Sequence, residues 1–174
     1  RQMCIRDSEY TGALKVLQMI FSYEYLWIQI RVKGGAYGCM CSFSDQGDSM
    51  FVTYRDPNLS ESYKVYDEAA DYVVDFDADD RDMKKYIIGT IGSMDMPMEA
   101  VDMGARSFHA YFLDKTEADL QKVRDQVLSC TQEDIRALAP IVKAVVEAGN
   151  RCCIGNEEKI DQNKEYFDEV KHVL

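Results

Sequence analysis

The chain has 174 residues and a mass of 19.9 kDa, about one domain of sequence, and 47% of it is hydrophobic, enough to build a core and to exclude a disordered chain. Three prolines and ten glycines exclude collagen-like and linker classes. With 31 acids against 20 bases the net charge is −11, which opposes binding to nucleic-acid phosphates and to anionic membrane surfaces.

Residues 1–8, RQMCIRDS, carry no hydrophobic period and are predicted as a tail. A start at Arg1 without a basic, apolar and small-residue leader shows no signal peptide and points to a piece of something longer. From Thr11 to about Val32, Leu14, Leu17, Ile20, Phe21, Leu26, Trp27 and Ile30 recur at helical spacing. Val16, Met19, Tyr23 and Ile28 widen that stripe, which predicts a helix buried on more than one side. Lys15, Gln18, Glu24 and Gln29 interrupt it too often for a membrane span. Gly34 and Gly35, then Gly38, break the helix. Cys39, Cys41 and Phe43 alternate with polar or smaller neighbours, Asp45-Gln46-Gly47-Asp48 forms a turn, and Met50 to Tyr54 is rich in β-formers, so an antiparallel hairpin is predicted.

Asn58 followed by Glu61 has the pattern of a helix N-cap with its acid three residues on, opening a helix to about Phe76 with Tyr63, Tyr66, Ala69, Ala70 and Val73 on one side. Helices are also predicted over Met83–Ile91 and from Glu99 to about Leu113. Thr116/Asp119 and Thr131/Asp134 are capping-box starts, and Gly149-Asn150 is a stop. Cys152 to Gly155 reads as a returning strand, and Phe167 to Val173 as a last strand or a loop. The predicted fold class is α/β (α+β): a small, mostly antiparallel sheet covered by helices.

Most sites of known chemistry are missing. His109 and His172 lack an i,i+4 partner, so neither H-x-x-E-H nor H-E-x-x-H occurs and no metal ligand is assigned. Asp75, Asp77 and Asp79 suggest a calcium loop, but Asp80 and Tyr86 stand where glycine and glutamate are required, so the acidic run from Asp67 to Asp82 reads as a solvated surface. No G-x-S-x-G or phosphate loop is present. The six cysteines, Cys4, Cys39, Cys41, Cys130, Cys152 and Cys153, contain no C-x-x-C and read as small buried hydrophobes of a reducing compartment; with no leader this favours a cytoplasmic setting. What remains is Arg31 and Tyr37, a fixed cation and a phenol separated by glycines that let their tips converge. Such a pair can hold a peptide carbonyl or an oxyanion; equally, Arg31 can serve as a helix C-terminal charge and Tyr37 as a strand residue.

The stretches Tyr25-Leu-Trp-Ile-Gln-Ile-Arg-Val-Lys-Gly-Gly-Ala-Tyr-Gly38 and Phe51-Val-Thr-Tyr-Arg-Asp-Pro-Asn-Leu59 resemble the last domain of presequence-protease-type zinc metallopeptidases, of the pitrilysin/insulinase family. Thr131 to Arg136 and Ile154 to Glu157 fit the same pattern, and the resemblance covers residues 9–174 but not 1–8. It implies a fourth domain of a two-halved peptidase that closes on unstructured peptides, with zinc held in the first domain by H-x-x-E-H and a distant glutamate. By that resemblance Arg31 and Tyr37, across Gly34 and Gly35, bind the substrate backbone, and Tyr37 is catalytic, stabilising the tetrahedral oxyanion. This chain carries no zinc ligand of that motif, so alone it is expected to be inactive. The expected partners are unfolded peptide and the remaining domains of the same polypeptide. The alternative is a non-catalytic subunit or interaction module of the same family.

Overall fold

The computed structural model describes residues 10–171. The predicted tail 1–8, Cys4, His172 and the end of the 167–173 segment lie outside the described residues.

Helix α1 (Gly12–Ile20) starts where the Thr11 hydroxyl accepts from the Ala13 N–H, and it buries Leu14, Val16, Leu17 and Ile20. The same rod continues as two π-helical segments, Phe21–Tyr25 and Trp27–Lys33. The widening has a packing reason. Phe21 and Ile30 stand nine residues apart, about two and a half α-turns, which would set them on opposite faces. With hydrogen bonds reaching five residues back the interval shortens to roughly two turns, and both are buried, with Leu26 between them. The helical stripe predicted from the sequence therefore slips: Trp27, expected inside, is 41% exposed.

Strands β1 (Gly38–Phe43) and β2 (Ser49–Tyr54) pair antiparallel, Gly38 opposite Tyr54 and Phe43 opposite Ser49. Cys41 and Phe43 point into the core, and Phe21, Phe43 and Phe51 meet with ring centroids 5.7 to 6.3 Å apart. The helix predicted to run to Phe76 divides at Glu68 into α2 (Leu59–Asp67) and α3 (Ala69–Val74). Helices α4 (Asp80–Met94), α5 (Ala100–Phe112) and α6 (Glu117–Leu128) follow. The segment opened by Thr131 also divides, at Ala137-Leu138 ahead of Pro140, into α7 (Gln132–Arg136) and α8 (Ala139–Glu147). Both predicted capping boxes form. Gly149 takes the left-handed φ of +66° after α8. A short α9 (Glu157–Asp161) and a 3₁₀ turn (Lys164–Tyr166) come last.

The first helix is the axis of the molecule. α4, α6 and α7 pack against α1, the hairpin packs along the π segments, and α3 packs on α8. The α/β class with a small antiparallel sheet holds. One predicted strand does not: Cys152 to Gly155 pairs with no strand, and Ile154 is 93% exposed, so this apolar run lies on the surface with nothing to ladder against. The acidic run from Asp67 to Asp82 is a solvated surface as expected, with seven of its eight acids exposed. Asp79 caps α4 through the Arg81 and Asp82 N–H groups, and Asp77 lies 3.6 Å from Arg136. No helix of the described residues is long and apolar enough to cross a membrane.

Candidate functional site

The end of the π-helix, the glycine bend and the far end of the hairpin meet in one exposed cluster. Gly34 is the C-cap of the helix, and a Cβ there would stand 2.5 Å from the Ile30 carbonyl oxygen, so no larger residue fits without a backbone shift. Gly35 adopts φ +77°, a left-handed conformation that L side chains disfavour. The bend is tied down: the Gly35 N–H donates to Arg31 O at 3.0 Å and the Ala36 N–H to Ile30 O at 3.2 Å. Ala36 is buried, so the chain dives under the cluster and emerges at Tyr37.

Tyr37 extends the hairpin ladder by one rung, its N–H donating to Arg55 O at 3.2 Å. The residue is 62% exposed. The Arg31 guanidinium carbon lies 5.7 Å from the Tyr37 ring centroid and 4.5 Å from that of Trp27, four residues earlier. Arg55 also approaches this tyrosine, at 5.7 Å, and lies 5.3 Å from the Tyr54 ring centroid. Tyr37 and Tyr54 meet edge to face at 5.9 Å. The structure thus brings Arg31 and Tyr37 together across Gly34 and Gly35 and adds three residues that the spacing argument did not single out: Trp27, Tyr54 and Arg55. The i,i+4 relation of Trp27 to Arg31 was available in the sequence. The position of Arg55 was not, because it depends on a backbone φ of +49° at a non-glycine residue.

The loop after β2 holds this arrangement. Asn58 was expected to cap α2 with its side chain; instead no cap bond forms, and its amide donates to the Gly34 carbonyl. The Asp56 carboxylate accepts from the Asn58 N–H at 2.9 Å and from the Ser62 hydroxyl. Glu61, expected to complete the cap, accepts instead from the Ser60 hydroxyl. The R-D-P-N run is therefore a strut beneath the glycine bend.

The available chemistry is donation. Among the described residues, neither the Arg31 guanidinium nor the Tyr37 hydroxyl enters a hydrogen bond or an ion pair; Tyr37 is exposed and Arg31 half-buried. Stacking on Trp27 orients the guanidinium plane while leaving its N–H edge open. Cys39 lies near Arg31 and Asp56, but burial pushes its thiol up, so it stays protonated at neutral pH and supplies no nucleophile. No group of three or more His, Cys, Asp or Glu side chains that could hold a metal ion occurs among the described residues. His109 sits elsewhere, on α5, with its Nε2 3.5 Å from Gln46 Nε2.

Comparison with known proteins places this geometry in context. Residues 6–156 match the family model described as the PreP C-terminal domain. The chain is 41% identical over 166 residues to "Protein HypA" of Clostridium perfringens, covering 95% of this chain and 17% of that protein. It is 32% identical over 170 residues to "Presequence protease 1, chloroplastic/mitochondrial" of Arabidopsis thaliana, covering 95% of this chain and 16% of that protein. It is 34% identical over 152 residues to "Presequence protease, mitochondrial" of Aspergillus fumigatus, covering 86% of this chain and 14% of that protein. The chain thus spans about a sixth of the length of these curated relatives.

Proposed function

The chain belongs to the family of presequence-protease C-terminal domains, and we propose that it is the substrate-clamping domain of a zinc metalloendopeptidase that degrades unstructured peptides. The observation that carries this reading is the meeting of two donors without a hydrogen-bond partner among the described residues, the Arg31 guanidinium and the Tyr37 phenol, beside Trp27, Tyr54 and Arg55. An unfolded peptide offers a row of carbonyl oxygens and no fixed side-chain pattern, so a clamp for many sequences must grip the main chain. Arg31 does this with a planar set of donors whose charge strengthens each bond. Tyr37 donates a single directed hydrogen bond, placed to strengthen as negative charge develops on the scissile carbonyl oxygen. A donor of this kind is commonly worth ~3 kcal/mol in a preorganised site.

The zinc of the proposed enzyme does not fit this chain, whose described residues lack a ligand group for it. Zinc supplies the activated water in such peptidases, and on this reading it is held by another part of the polypeptide. The exposed apolar side of α5 supports a contact with those remaining domains: Val101, Phe108, Tyr111 and Phe112 are each at least two-thirds exposed, at 79%, 67%, 80% and 67%.

Trp27 is the chain's single tryptophan, so its emission reports on the cluster. Titration with an unstructured peptide free of tryptophan is expected to change Trp27 fluorescence saturably, and Arg31→Ala is expected to remove at least most of that response. A response of equal size and midpoint in Arg31→Ala would assign Arg31 to a helix-end charge and end the clamping role.

A further inference from the structure

We propose that the recess between α1, α4 and α5 is a second binding site, for a small organic anion with a carboxylate or phosphate head and an apolar body. It shares no lining residue with the Trp27–Arg55 cluster, and the inference does not depend on the clamping role. The cavity measures about 580 Å³, within the roughly 300–1,000 Å³ of small-molecule sites.

Charge identifies the ligand. Lys15 from α1, Arg106 from α5 and Lys115 from the turn after α5 all line the cavity, with Asp45 the single carboxylate among its described lining residues. In a chain with 31 acids and 20 bases, such an excess of cations in one recess runs against the overall balance. Asp45 is already engaged, forming an ion pair with Lys115. The Arg106 guanidinium makes a 3.9 Å contact with the Met98 sulfur and no ion pair among the described residues. Lys15 is half-buried, and no described residue accepts a hydrogen bond from it or forms an ion pair with it. Lys15 shares the pull of Asp45 with Lys115, so three cations face one carboxylate, and an anion would complete the balance. Burial pushes the Lys15 ammonium pKa down, Asp45 draws it back up, and Lys115 and Arg106 push it down again. Met19, Met94, Leu120 and Val123 give the wall an apolar part, so a bare inorganic ion would leave apolar surface unfilled while an alkyl chain would cover it.

Isothermal titration of the 174-residue chain with hexanoate, hexyl phosphate and hexanol tests this. One of the two anions is expected to bind at one site at least tenfold more tightly than hexanol, and the better anion names the head group. Lys15→Met and Arg106→Gln are each expected to weaken that anion about tenfold, while Arg31→Ala leaves it unchanged. Arg106 is exposed on α5, so its variant keeps the test decisive should Lys15→Met fail to fold. Absence of binding, equal affinity for hexanol, or undiminished affinity in the folded variants would overturn the proposal.

Discussion

Tyr37 is gripped by its backbone and free at its tip. Its N–H is fixed to Arg55 O and its ring is flanked by two guanidinium groups, yet its hydroxyl faces solvent. That combination of a fixed stem and an unspent donor is what a preorganised site needs. The cysteines are the opposite case. Burial pushes the Cys41 and Cys130 thiols up to about 12, so both remain protonated at neutral pH. The expectation of buried cysteines holds for these two and fails for Cys152, which is exposed. In a native-state reaction with Ellman's reagent, Cys152 is expected to react fast and Cys41 and Cys130 only on unfolding; fast modification of Cys41 would contradict the packing of β1 on the first helix.

At the scale of elements, the glycine bend and its strut decide whether the cluster exists. Gly35→Ala places a Cβ at φ +77°, and a left-handed alanine costs roughly 1–2 kcal/mol. Asn58→Ala removes the donor to the Gly34 carbonyl, worth about 1 kcal/mol net. Denaturant midpoints should fall for both, and the Trp27 peptide response should fall with them; a stable Asn58→Ala with an intact response would mean the strut is idle. Two carboxylates give a pH prediction. The Asp119 carboxyl is held below the usual range by the Thr116 hydroxyl and N–H, and that of Asp95 by the Arg124 guanidinium. Because the folded pKa values are lowered, their stabilisation is present above the ordinary carboxylate pKa of about 4 and is lost as pH falls through the lowered values. Denaturation midpoints should decline on acidification through this window, and less steeply in Asp95→Asn/Asp119→Asn; parallel profiles would contradict it.

Across the whole molecule, what the sequence made legible was local chemistry. The hairpin, the Thr116 and Thr131 capping boxes and the Gly149 stop follow from residues within a few positions of each other, and all are present. Arg31 and Tyr37 could be placed together because only glycine-rich chain separates them. Features set by tertiary packing were not legible. The π widening that exposes Trp27 answers to the Phe21–Ile30 face, Asn58 leaves its cap for a carbonyl 24 residues away, and Cys152 to Gly155 finds no strand to pair with. The proposed function assigns the zinc to another part of the polypeptide, so the prediction is that the chain alone cleaves no peptide; chelator-sensitive peptidase activity of the purified 174-residue chain would refute that division of labour.

The central claim, that Tyr37 serves the transition state, is tested most directly by steady-state kinetics of Tyr37→Phe in the full-length peptidase. The substitution removes one hydroxyl and leaves the ring contacts with Arg31, Arg55 and Tyr54 in place. The account predicts a fall in kcat of roughly 100-fold or more with KM changed little, the signature of a donor used mainly in the transition state. An unchanged kcat would contradict it.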